Sequence, residues 1–127
     1  MDQGIAVAQI ISVHSFRGGT GKSNTSANLA ALLSLGGKRG GVIDTDIQSP
    51  GIHVLFGLAG EDITASLNDF LWHGHAIEDA ARDVTPVLPT PSAGRVFLIP
   101  ASIKPGEITR VRGRATTPNT SPKDCGA

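Results

Sequence analysis

The chain has 127 residues, of which 39% are hydrophobic, and it carries 11 basic and 11 acidic side chains for a formal net charge of zero. That length allows one domain with a real core, and the neutral balance excludes a surface built to coat nucleic acid or membrane. A single cysteine, Cys125, excludes a disulfide framework and a cysteine metal cluster, and with no signal peptide or membrane-length apolar run it points to the cytoplasm.

In chain order, residues 6–14 form a near-continuous apolar run, the pattern of a strand buried on both faces of a parallel sheet. His14, at its end, is expected to pack beside the loop that follows. That loop is Ser15-Phe16-Arg17-Gly18-Gly19-Thr20-Gly21-Lys22-Ser23, followed by Asn24 and an Ala/Leu-rich segment. Strand, glycine-rich turn and helix is the setting in which a loop binds phosphate. Its N–H groups line the turn, and the helix N-terminus adds partial positive charge. Gly18, Gly19 and Gly21 permit positive φ and close approach of phosphate oxygens. Lys22 is expected to reach the β- and γ-phosphates of a nucleoside triphosphate, and the Ser23 hydroxyl to bind Mg²⁺. The helix should start within the loop and run to about Leu35, with Leu29, Leu32, Leu33 and the alanines facing the sheet. Gly36-Gly37 should stop it.

A second strand is expected to end at Val42-Ile43, with Gly40 weakening its start. Asp44 and Asp46 leave its C-terminal edge at i and i+2, on one side, where a divalent cation would relieve their repulsion. Taken alone, the pair reads equally well as an acidic turn; the phosphate-type loop upstream favours the cation reading. Residues 52–60 form a short apolar connection, and Ile63, Leu67, Phe70 and Leu71 recur at helical spacing, as on a helix packed against the sheet. Trp72-His73-Gly74-His75 reads as a surface turn, because no carboxylate or thiol completes a metal site. Ala76–Asp83 reads as a short helix, Pro86, Pro89 and Pro91 as a turn-rich loop, and Arg95–Ile99 as another buried strand. After about Val111 periodicity disappears, so residues 111–127 are expected to be a disordered, out-of-frame tail, with Arg110, Arg112 and Arg114 solvated.

The loop departs from G-x-x-x-x-G-K-S/T, since Phe16 stands at the first glycine and Arg17 precedes the paired glycines. In this it resembles the deviant Walker A loop of the MinD/ParA family of P-loop ATPases. The segments Ile43–Gly51 and Leu98–Ser102 resemble the switch and strand-end sequences of the same family. The resemblance covers roughly residues 8–110 and implies an α/β fold, the N-terminal half of a doubly wound, mostly parallel P-loop NTPase sheet. By that resemblance residues 1–110 form the ATPase half-domain, and Gly18, Gly19, Thr20, Gly21, Lys22, Ser23 and Asn24 bind ATP. Ser23 and Asp44 place Mg²⁺, the latter through waters, and Asp46 orients the attacking water. Arg17, where the family has lysine, contacts the phosphates held by the other subunit of an ATP-dependent homodimer formed by the full-length protein. A regulatory or cargo protein is expected as partner; nucleic acid is not indicated.

No apolar run ending in aspartate follows residue 100, so the Walker B half that such ATPases require is missing from this chain. Three functions follow. The leading one is an ATP-dependent dimer switch that partitions or positions cell components. The second is a synthase of related fold that uses ATP to activate a small carboxylate, which has no need of Arg17. The third is a non-functional fragment that binds nucleotide weakly. The related bacterial tyrosine kinases are excluded by the lack of tyrosine.

Overall fold

A computed structural model describes residues 7–106. Along them run α1 (Lys22–Leu35), β1 (Arg39–Ile43), α2 (Ile52–Leu55), α3 (Leu67–His73), α4 (Ile77–Ala80), β2 (Arg82–Asp83) and β3 (Arg95–Ile99). Single 3₁₀ turns form at Gly60–Asp62 and Thr85–Val87.

Two five-residue strands organise the molecule. β1 and β3 pair in parallel, with Gly40 opposite Val96, Val42 opposite Leu98 and Ile43 opposite Ile99. The pleat sends Val42, Val96 and Leu98 to one face, where they meet Ala30 of α1, Ile52 and Phe56 around α2, and Val84. β2 pairs antiparallel with the other edge of β3, giving the order β1-β3-β2. The result is a small α/β fold on a mixed three-stranded sheet.

α1 begins at Gly21, whose left-handed φ of 90° only glycine adopts without strain. It ends where expected: the N–H groups of Gly36, Gly37 and Lys38 close on the carbonyls of Leu32, Ser34 and Leu33, with Gly37 at φ 85°. The buried face differs from the sequence reading, for Ala30 and Ser34 are buried whereas Leu32 is 66% exposed and Leu33 and Leu35 also face outward. Small side chains let α1 lie close to the sheet, and that close approach sets its rotational phase.

Residues 7–14 do not form the expected strand. They pair with nothing among the described residues, and Val7 and Ile10 are 89% and 91% exposed. A strand needs a neighbour for its N–H and C=O groups, and the edge of β3 away from β1 is taken by β2. The outer edges that remain belong to β1, where Gly40 and Gly41 offer little side-chain surface to pack, and to the two-residue β2. A doubly wound sheet is therefore not formed among the described residues.

Three further segments depart from the reading. The helix expected over Ala76–Asp83 is one turn, α4, after which Arg82 and Asp83 extend into β2. Ile63 lies outside α3, and within α3 Leu67 is buried while Phe70 and Leu71 stay exposed. Gly40 lies inside β1, whose pairing with β3 compensates its low propensity. The chain enters a helical conformation at Pro105 and Gly106. The tail expected over residues 111–127 lies outside the described residues.

Candidate functional site

The C-terminal end of α1 is tied to the start of the sheet: the Gly94 N–H donates to the Ser34 carbonyl at 2.8 Å, and Arg95 N–H to that of Lys38 at 3.1 Å. From there α1 runs antiparallel to the strands. Its 14 residues span about 21 Å and a five-residue strand about 16 Å, so its N-terminus reaches the C-terminal edge of the sheet. That edge also carries Asp44, whose N–H donates to the Ile99 carbonyl at 3.0 Å. The glycine-rich loop and the two aspartates thus share the end of a parallel pair at which such folds bind ligands.

Within the loop Gly19 and Gly21 take φ of 73° and 90°, and no atom lies within 4 Å of where a Cβ on Gly18, Gly19 or Gly21 would stand. α1 has neither a side-chain cap nor an acidic residue in its first turn. None of the backbone N–H groups from Gly18 to Asn24 donates to a protein acceptor among the described residues. This is a row of unpaired donors on the positive end of a helix, a place for an anion.

The loop is knitted together through the Arg17 carbonyl. It accepts from Ser15 Oγ at 2.8 Å, from Thr20 Oγ1 at 3.4 Å and from Lys22 Nζ at 3.4 Å. The Lys22 ammonium also donates to Ser15 Oγ at 2.6 Å. Lys22 is half-buried, and Arg17, Thr20, Ser23 and Asn24 are exposed around it.

The two aspartates are differently used. Asp44 is buried, and its carboxylate accepts from the N–H groups of Asp46 at 3.1 Å, Gly51 at 3.2 Å and Ile52 at 3.3 Å. Backbone donors, with no cation among them, offset that buried charge. Asp46 is exposed and accepts one bond, from Ser49 N–H at 3.1 Å. A carboxylate has about four acceptor positions, so the three backbone donors leave Asp44 one, and the Ser23 hydroxyl has no protein partner among the described residues. Both are oxygen donors of the kind Mg²⁺ takes.

Other candidates are not assembled into a site. No cluster of three or more His, Cys, Asp or Glu suited to a metal occurs among the described residues. His73 ends α3, Gly74 turns the chain at φ 71°, and His75 binds back through its N–H to Asp69. His14 is exposed. Sequence reasoning missed Ser15, whose place seven residues before Lys22 was the only available signal. It also missed the structural use of Asp44, legible only once residues 51 and 52 are seen to fold back.

The family model described as ParA, NUBPL iron-transfer P-loop NTPase, matches residues 6–78, more than half of the chain. An iron-sulfur cluster carrier protein of Aquifex aeolicus (strain VF5) is 48% identical over 58 residues, covering 46% of this chain and 16% of that protein. One from Pseudomonas fragi is 41% identical over 76 residues, 57% of this chain and 26% of its own length. An uncharacterized ATP-binding protein of Methanocaldococcus jannaschii is 42% identical over 74 residues, 58% of this chain and 27% of its own. The matched segment thus spans about a quarter or less of each of these relatives. No solved structure matches the chain. Among the described residues no helix is long and apolar enough to cross a membrane.

Proposed function

The chain belongs to the ParA, NUBPL iron-transfer P-loop NTPase family, and from that premise we propose that it binds ATP with Mg²⁺ at residues 17–24 and serves as the nucleotide-driven switch of an iron-sulfur cluster carrier. The observation that carries this reading is the uncapped start of α1, where unpaired N–H groups, two positive-φ glycines and Lys22 converge. Such a site takes a phosphate, and the lysine extends it to a polyphosphate.

In this reading the loop N–H groups hold the β-phosphate and Lys22 bridges the β- and γ-phosphates. Asn24, on the first turn of α1, lies at the α-phosphate. Ser23 and Asp44 would hold Mg²⁺, which when bound neutralises charge on the phosphate oxygens. Asp46, exposed on the same edge, orients the attacking water. Arg17 is exposed beside the loop and free to reach the phosphates of a second copy; its planar fork suits bidentate contact with them. A cluster is commonly ligated by four cysteine thiolates, and this chain has one. The proposal therefore gives the chain the nucleotide-dependent step and assigns most cluster ligands elsewhere. Partitioning or positioning of cell components, the function that the resemblance implies, has no support from the names of the relatives above, two of which are iron-sulfur cluster carriers.

The test is ATP titration with and without Lys22→Ala. Loss of a charge-assisted contact worth roughly 1.5–3 kcal/mol should weaken binding about tenfold or more; equal binding by both forms overturns the assignment. Sedimentation with ATP then addresses the switch in a full-length version of the protein: the wild type should dimerise, whereas Arg17→Ala should bind ATP and remain monomeric.

A further inference from the structure

The hydroxyl of Ser15 is placed between two groups of the loop. It donates its single proton to the Arg17 carbonyl at 2.8 Å, which orients its lone pairs to accept from Lys22 Nζ at 2.6 Å. The ammonium makes its second contact to the same carbonyl at 3.4 Å. An ammonium has three donors; two are thereby used, and the third has no protein partner among the described residues. Ser15 precedes the glycines, is half-buried, and makes no other side-chain hydrogen bond among the described residues.

We propose that Ser15 is a positioning residue for Lys22, holding the ammonium within the loop with one donor left for a phosphate oxygen. A free lysine stem samples many rotamers, and freezing it on binding would reduce affinity. Here that ordering is complete before the ligand arrives, which is how preorganisation strengthens binding. The opposite arrangement, in which Ser15 competes with phosphate for Lys22, would demand that the ammonium leave Ser15; with a third donor free, it need not. The inference rests on the loop being a triphosphate site.

The experiment is calorimetric titration of the full chain with ATP, using wild type, Ser15→Ala, Ser15→Thr, Lys22→Ala and the Ser15→Ala/Lys22→Ala double variant. Ser15→Ala should weaken ATP binding about three- to tenfold, the effect of one lost hydrogen bond. Ser15→Thr, which keeps the hydroxyl, should restore it. The double variant should bind like Lys22→Ala alone, because Ser15 acts through that side chain. If Lys22→Ala binds as wild type does, the triphosphate site itself is wrong. If Lys22→Ala is weakened but Ser15→Ala binds equally or more tightly, the site stands and the role of Ser15 is overturned. A further loss in the double variant, or failure of threonine to rescue, overturns that role as well.

Discussion

Asp44 accepts three backbone N–H groups and Asp46 one, and the two should respond differently to truncation. Asp44→Ala strips the partner from three amides around a buried position and should cost about 2–4 kcal/mol in denaturant unfolding. Asp46→Ala, at an exposed position, should stay within about 0.5 kcal/mol. Gly21 belongs to the same scale. At φ 90°, Gly21→Ala should destabilise by about 1–2 kcal/mol through backbone strain alone, because the space around its Cβ is open. On β2, Asp83 is held below its ordinary pKa of 3.8 by hydrogen bonds from the Thr85 side chain and N–H, with Arg95 adding its charge. A depressed folded-state value means that Asp83 favours folding above 3.8 and loses that contribution as pH falls through the lower value. Asp83→Asn should therefore flatten the acid end of a stability–pH curve.

At the scale of elements, α1 is the informative case. Its buried face is Ala30 and Ser34, with Ala27 partly buried beside them, so the helix meets β1 and β3 through small side chains. Ala30→Leu should overfill that contact and cost about 1–3 kcal/mol. Leu32→Gln, on the outward face, should change stability by no more than about 0.5 kcal/mol. The reverse ranking in thermal unfolding would restore the leucine stripe to the sheet. Gly94 fixes the other end of α1: a Cβ there would lie 2.7 Å from the Ser34 carbonyl oxygen and against that of Lys38, both backbone atoms that cannot swing away.

For the whole molecule, the sheet is unequally covered. The face bearing Val42, Val96 and Leu98 is packed, while the face that includes Ile43 is open over β1, with Gly41 exposed and Ile43 47% exposed. Arg39 stands 5.6 Å above the Phe97 ring and shields part of that face. Parallel strands are ordinarily buried on both sides, and an uncovered apolar face favours association. Ile43→Thr should therefore lower the light scattering of concentrated protein with little change in thermal midpoint. Unchanged scattering would show that self-association does not use this face.

The sequence by itself determined the parts of this protein that chain punctuation encodes. The glycines at 18, 19, 21, 36 and 37 mark the loop and bound α1, and the apolar run Arg95–Ile99 coincides with β3, because backbone freedom and side-chain bulk act within a few residues. The loop residues of the candidate site were legible for the same reason. Tertiary structure alone decided the rest. An apolar run such as residues 7–14 states a tendency to be buried but names no partner, and among the described residues it pairs with none. Likewise the phase of α1 follows from how closely the backbone of Gly94 approaches it. Asp44 became a structural acceptor only because residues 51 and 52 fold back onto it. Ser15 met Lys22 because the turn between them closes, bringing groups seven positions apart to 2.6 Å.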